Sequence, residues 1–379
     1  MLMSPESVDT APREQAGRRL RVLHLVDSAG ATDRLWGKEN VVVSLMEAQR
    51  ASGVVEPELV TFTPGLLDET MQSAGFRTRS LGAKHRRVSL GALGKLRAVL
   101  AGGPPPVVHT HEYKANIVAR VLRAGGSRMR KLVATCHGWV DHSPQLDAYY
   151  ALDRFTAFGS DIVTVTDPAM LSLFPRVHPR LVFVQNAIAE RPAPTSAQRL
   201  EARAHFGLPP DALVIGSLGR LTKNKGLLDI LEAARRTQNS GIIWAIAGAG
   251  PVSDSVTNCG LPNVHFAGYQ ADSARYLAAL DVYLQASYYE GLSLSLLEAL
   301  RAGLPSISTK AGATEFAIRD SREALLVDAG DLDAIVAAAF ALRSDSARRS
   351  IMGAAARARF DEAFAIERQH EAFLRLYRA

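Results

Sequence analysis

The stretch Leu213-Val-Ile-Gly-Ser-Leu-Gly-Arg-Leu-Thr-Lys-Asn-Lys-Gly-Leu-Leu-Asp-Ile-Leu-Glu-Ala-Ala-Arg-Arg-Thr237 changes its period midway. Leu213 to Ser217 is a short β-branched run of strand type, and Leu227 to Thr237 has the spacing of an amphipathic helix. Gly216, Gly219 and Gly226 predict a glycine-rich strand-to-helix turn between them. Strand, glycine turn and helix form the unit from which doubly wound α/β sheets are built.

The same alternation continues outward in both directions. Downstream, strands are predicted at Ile242–Ala247, Val264–Phe266, Asp281–Leu284 and Pro305–Ser308. Upstream they are predicted at Val22–Val26, Pro57–Phe62, Val107–Thr110, Lys131–Thr135, Ile162–Thr166 and Leu181–Val184, with helices such as Asn40–Ser52 and Asn116–Ala124 between them. These runs are continuously apolar, as strands buried on both faces are, so parallel sheets covered by helices are expected. A Pro-rich polar break at Glu190–Ser196 and a turn cluster at Gly207–Asp211 divide the series. The expected organisation is a disordered lead-in over 1–19, a Rossmann-like domain over 20–187, a linker over 188–212 and a second Rossmann-like domain over 213–360. A C-terminal helix over 361–379 would be free to pack back on the first domain. Two such domains face each other across a cleft at the carboxyl ends of their strands, where open α/β sheets bind ligands.

Composition excludes several classes. Of the 379 residues 47% are hydrophobic and 22% charged, which rules out a mostly disordered chain. Cys136 and Cys259 belong to no metal or disulfide pattern, which fits a reducing cytoplasm. No apolar run reaches the ~18 residues of a membrane span, and no signal peptide is recognised. The net charge of +6 is too small for a chain of this length to argue for nucleic acid.

The chemistry is expected in the loops that follow strands. A dinucleotide fingerprint is lacking: Gly248-Ala-Gly250-Pro-Val-Ser253 has no third glycine and has proline where its helix would start. The loop with Gly219, Arg220, Lys225 and Gly226 combines close backbone approach, a helix N-terminus and two cations, which suits a diphosphate. A solvated basic loop explains it equally well. Further on stands Tyr289-Glu-Gly-Leu-Ser-Leu-Ser-Leu-Leu-Glu-Ala-Leu-Arg-Ala-Gly-Leu-Pro305, in which Ser293 reads as N-cap, Gly303 as the residue past the helix end and Pro305 as the stop. Glu290 precedes this helix, and Glu298 lies at the edge of its leucine face. Carboxylates spaced in this way could hold two separate polyols. Either glutamate alone reads as an exposed helix residue.

Gly219-Arg220 with Lys225-Gly226, Ala247-Gly-Ala-Gly250-Pro251, Glu290-Gly291 through Glu298-Ala, Gly303-Leu-Pro305 and Ala311-Gly-Ala-Thr-Glu315 resemble the retaining glycosyltransferases of family 4, which have the GT-B fold. His109-Thr-His111, Thr135-Cys-His137-Gly138 and Val184-Gln-Asn186 extend the resemblance into the first half, so that it covers about Arg21 to Tyr377. It implies a nucleotide sugar as donor, with Arg220 and Lys225 on its diphosphate, Glu298 on the ribose and Glu290 on the hydroxyls of the transferred sugar. Gly219, Gly250 and the amides of Gly291 and Leu292 would add donor contacts, and His137 would approach the sugar from the facing domain. Without the resemblance, His137 reads as a strand-end histidine capping a turn. Gly30, Gly37 and His111 are expected on the acceptor side, although Gly30–Asn40 is longer and less glycine-rich than the family's first loop. Asn186-Ala187 and Gly291-Leu-Ser are milder departures.

No metal or other cofactor is expected. Asp331-Leu-Asp333 reads as a helix N-cap, which leaves cations and helix-end amides to stabilise the departing diphosphate. His109 and His111 are expected to be structural or to border the acceptor cleft. Residues 1–190 carry a net +5 and the rest +1, and no Asp or Glu occurs between Met71 and His111. Arg77, Lys84, Arg86, Arg87, Lys95 and Arg97 in that stretch could dock on an anionic leaflet, or form a solvated basic face. The expected partners are a nucleotide sugar and a glycan or lipid-linked acceptor, in the cytoplasm or at the inner face of its membrane. The alternatives are a nucleotide-sugar epimerase of the same architecture and a non-catalytic sugar-nucleotide-binding subunit.

Overall fold

In this computed structural model residues 19–28, 34–83, 89–138, 143–174 and 180–379 are described. The expected lead-in therefore lies almost wholly outside the described residues, as do Gly30, Lys84, Arg86 and Arg87.

The first sheet is formed by β1 (Leu20–Val26), β2 (Val55–Thr61), β3 (Arg77–Ser80), β4 (Val107–His111), β5 (Lys131–Cys136), β6 (Ile162–Val165) and β7 (Leu181–Phe183), in the order β3-β2-β1-β4-β5-β6-β7. The second comprises β8 (Leu213–Arg220), β9 (Ile242–Ala249), β10 (Val264–Gly268), β11 (Val282–Gln285), β12 (Ser306–Thr309) and β13 (Ala324–Val327), in the order β10-β9-β8-β11-β12-β13. Every pairing within both sheets is parallel. Strand order reverses between β1 and β4 and again between β8 and β11, which creates a crevice at the carboxyl end of each sheet.

Two strands have no counterpart in the sequence reading. Arg77-Thr-Arg-Ser80 has no apolar run because β3 is an edge strand, and its arginines face water. Charge on an edge blocks pairing with another chain. β13 is only four residues long. A third difference bears on the site: β8 runs on to Arg220, with Gly219 opposite Gly248 and Arg220 opposite Ala249. Gly216 and Gly219 are thus strand residues, and the turn is Leu221–Gly226.

The chain crosses between the domains twice, side by side. Ile188 and Ala365 form a parallel bridge, with Ile188 N–H donating to Phe364 O at 3.1 Å and Ile366 N–H to Ile188 O at 3.1 Å. The segment between the sheets is not wholly a linker, since it contains the helix Ser196–His205, which Thr195 and Gln198 close with a capping box. The last helix, Ile366–Arg378, lies on the first domain, where Phe373 and Tyr377 join Val22, Leu45 and Val107 in one core cluster. Each buried aromatic contributes about 1.5–3 kcal/mol, which anchors the chain end beneath the first sheet.

Candidate functional site

The second-domain half of the site is built on the reversal between β8 and β11. Arg220 ends β8 with its side chain exposed, and its guanidinium carbon lies 5.7 Å from the ring centroid of Trp36, which precedes the helix Gly37–Ala51 of the facing domain. A short turn, Lys223–Lys225, then delivers Lys225 to Glu290 as an ion pair, and Ser287 Oγ donates to the same Glu290 Oε1 at 2.8 Å. Glu290 is nearly buried, whereas about a third of the Lys225 side chain is exposed. Arg220, Lys225 and Glu290 thus border one small recess together with Gly219, Ser217 and Ser295.

Glu298 opens onto a different space. It sits in the second turn of the helix Leu294–Arg301, accepts from Ser273 Oγ at 2.8 Å and lines a cavity of about 430 Å³ with Arg191, Asp272, Arg275 and Arg301. Burial raises its carboxyl above the usual range against the pull of Ser273 and Arg301. Ser293 precedes this helix but does not cap it, because its hydroxyl meets Ser295 Oγ at 3.1 Å instead. Gly303 follows with φ 70°, the left-handed conformation suited to glycine. The Asp331 carboxylate caps its helix as expected, accepting from Ala334 N–H at 2.9 Å.

The glycines divide by what surrounds them. A Cβ on Gly219 would have no described atom within 4 Å, so that backbone stays open to a ligand. A Cβ on Gly250 would lie 2.2 Å from Leu221 O, so Gly250 has a packing reason of its own. Gly250→Ala is therefore expected to destabilise the protein by about 1–3 kcal/mol, measured by urea unfolding.

From the facing domain His137 follows β5. Its carbonyl would be 3.3 Å from a Cβ on Gly291, so the two domains touch beside Glu290. Asn186 Nδ2 donates to Leu292 O at 3.3 Å, and a Cβ on Gly37 would lie 3.8 Å from Leu294 Cδ1. Burial, with Lys38 adding to it, lowers the His137 imidazole to about 3. Of the two roles expected for His111, structural or bordering the acceptor cleft, its burial favours the structural one and corrects its placement on the acceptor side. It is fully buried, with both ring nitrogens taken by His24 and His137, and so lies one ring behind the cleft rather than facing an acceptor.

Several site residues were missed in the sequence. Glu112, at the end of β4, has φ 77° and ψ 161°, a region almost confined to glycine, and its Oε1 accepts from His137 N–H at 3.1 Å. Burial raises its carboxyl to about 7 despite Lys38 and that amide. Its place directly after His109-Thr-His111 was the available signal. Lys38, whose Nζ donates to Asp27 O at 2.7 Å, and the serines Ser273 and Ser287 have no motif to reveal them.

Two doubly wound domains with their ligand-bearing loops turned toward one another define the GT-B architecture. A model described as "Glycosyl transferase 4-like domain" matches residues 37–187, and one described as "Glycosyl transferases group 1" matches residues 212–345. The chain belongs to the group 1 glycosyltransferases of the family 4 type. Among curated relatives, the lipopolysaccharide core biosynthesis glycosyltransferase LpsE of Rhizobium meliloti (strain 1021) is 33% identical over 39% of this chain and 44% of its own length. LpsD of the same organism is 31% identical over 47% and 53%. The chain thus spans about half the length of these relatives. The 2-deoxystreptamine N-acetyl-D-glucosaminyltransferase of Streptomyces fradiae is 26% identical over 86% of both chains. In structure, Anabaena Alr3699/HepE in complex with UDP and glucose superposes with a TM-score of 0.81 at 16% identity, covering 94% of this chain and 99% of that one. Sucrose-phosphate synthase from Thermosynechococcus elongatus gives 0.80 at 22% identity, covering 95% and 98%.

Proposed function

We propose that the protein is a retaining glycosyltransferase that moves a sugar from a nucleotide-diphosphate sugar to a hydroxyl of a glycan or lipid-linked acceptor, in synthesis of a bacterial lipopolysaccharide, polysaccharide or glycolipid. The observation that carries this reading is the meeting of Arg220, Lys225 and Glu290 at the strand-order reversal of the second sheet, against His137 and Gly291 at the domain contact. The names of the relatives support the pathway class.

Arg220 and Lys225 take the donor diphosphate, Glu298 the ribose, and Glu290 accepts from hydroxyls of the transferred sugar. Lys225, already paired with Glu290, sits where the phosphate and sugar contacts join. As the sugar–phosphate C–O bond breaks, its electron pair goes to the diphosphate, whose growing charge these two cations and the amides of Gly291 and Leu292 stabilise. The acceptor oxygen attacks the same face, and its proton passes to the departing phosphate. This scheme uses no metal, so EDTA is expected to leave turnover unchanged; loss of activity restored by Mg²⁺ or Mn²⁺ would overturn it.

No helix among the described residues is long and apolar enough to cross a membrane. A peripheral contact at the cytoplasmic face rests on exposed Arg79, Lys95 and Arg97, whereas Arg77 is already paired with Glu58 at 2.8 Å. The deciding experiment is a thermal-shift screen of nucleotide sugars, followed by nucleotide release with the best ligand. Stabilisation by none of the UDP, GDP, ADP or dTDP sugars would reject the donor assignment.

A further inference from the structure

Behind His137 the first sheet carries an unbroken line of hydrogen-bonded imidazoles. His137 Nε2 lies 3.0 Å from His111 Nδ1, His111 Nε2 lies 3.0 Å from His24 Nδ1, and His24 Nε2 lies 2.8 Å from Gln49 Oε1. Gln49 Nε2 donates to the Tyr377 hydroxyl at 3.1 Å, and that hydroxyl meets His109 Nδ1 at 2.7 Å. His109 Nε2 continues to Thr135 Oγ1 at 2.7 Å.

His24, His109 and His111 have nitrogens within 4.8 Å of one another, close enough to suggest a metal. Yet every one of these nitrogens already has a hydrogen-bond partner. Ring centroids are 5.3 Å apart in both the His24–His111 and His111–His137 pairs, with planes 18° and 23° apart. With nitrogens 3.0 Å apart, the remaining distance is what two ring radii occupy when imidazoles meet end to end. Their lone pairs do not converge on a common point, and the arrangement is a chain.

Burial lowers His24 to about 4 and His137 to about 3, and lowers His109 and His111 well below the ordinary value, so all four rings are neutral at pH 7. A neutral imidazole has one N–H and one lone pair, and therefore the chain has one direction at a time. If Gln49 presents its oxygen to His24, then His24 carries its proton on Nε2, His111 does the same, and so does His137. If the amide is turned over, every proton moves to the other nitrogen.

One observation selects the first direction, since Tyr377 and His109 can satisfy either one by reversing their own hydrogen bonds. His137 Nδ1 is buried and has no partner among the described residues. A buried unpaired lone pair is better tolerated than a buried unpaired N–H.

We propose that Gln49, held by Tyr377, is a positioning residue that fixes His137 as the Nε2–H tautomer through His24 and His111, leaving the Nδ1 lone pair to accept a hydroxyl of the bound sugar. The tautomer follows from the network alone, whereas its use on a sugar rests on the function proposed above. Full-length protein carrying ¹⁵N-histidine, with the His137 signals assigned by their loss in His137→Asn, reads this directly by NMR at pH 7.5. Without any substrate, His137 is expected to be protonated at Nε2 and bare at Nδ1; a proton on Nδ1 overturns the proposal. In Gln49→Met the chain loses its directing end, so His137 is expected to show both tautomers and turnover to fall about two- to tenfold. An unchanged His137 spectrum in that variant would also overturn it. Failure of the donor reading appears separately, as absent nucleotide release by wild-type protein.

Discussion

Lys225→Ala is expected to lower nucleotide release by about 10²- to 10³-fold, the usual cost of removing one fixed group that meets developing charge in a water-poor site. The fold should survive. The lysine side chain is about a third exposed, and Glu290 keeps the Ser287 hydroxyl when the ammonium is gone. The defect should lie chiefly in kcat, because the diphosphate gains charge as the sugar leaves. Glu298→Ala separates from it. That carboxylate opens onto the larger cavity and holds Ser273, so its loss should raise the donor KM more than it lowers kcat. Wild-type turnover by Lys225→Ala, with an unchanged melting temperature, would remove the cation from the donor site. A collapsed melting curve would instead show that the Lys225–Glu290 pair is structural, and Lys225→Gln would then be the variant to measure.

The parallel sheets were legible because their strands are buried on both faces, so that hydrophobicity alone marks them. β3 escaped because an edge strand has no such requirement, and its Arg-Thr-Arg-Ser sequence reads as surface. The turn after β8 starts three residues later than the glycines suggest, because the strand runs on from Ser217 to Arg220. Glycine marks a turn by conformation, yet Gly216 and Gly219 serve a strand in which Gly219 faces Gly248. Arg220, Lys225, Glu290 and Glu298 could be named since their charge and spacing stand out in one stretch of chain. Their partners could not: Ser273 lies 25 residues from Glu298, and Tyr377 lies 328 from Gln49. The first depends on how two helices of the second domain pack, and the second on how the C-terminal helix crosses back beneath the first sheet; no local pattern encodes either. His111 shows the same limit. Alternation in His109-Thr-His111 predicts one histidine face, but both rings are enclosed, His109 against Phe373 of the last helix and His111 between His24 and His137.

The four buried histidines should also make the protein acid-labile. Each is neutral when folded, with its value lowered from 6.5, to about 4 for His24 and about 3 for His137. Below pH 6.5 the unfolded chain therefore binds protons that the folded chain refuses, and stability falls as pH falls. Each such proton costs about 1.4 kcal/mol per pH unit. Glu112 runs the other way. Its raised value, about 7 against 4.5, means that the folded state takes up its proton first, which adds stability as pH drops from 7 toward 4.5. His265 and His370 are lowered in the same sense, and burial raises Asp68, Asp153 and Glu298 as it does Glu112, so the imidazoles dominate where free histidine titrates and stability should fall between pH 6.5 and 5. Urea midpoints at pH 7.5, 6.5, 5.5 and 5.0 measure the slope, and a stability constant from pH 7 to 5 would contradict neutral burial of these rings. Glu112→Gln removes the opposing carboxyl and should steepen the decline between pH 7 and 5. It should also make the variant more stable than wild type at pH 8, where the buried carboxylate would otherwise be charged. The cleft thus keeps an uncharged imidazole beside Gly291 only by giving up tolerance to acid.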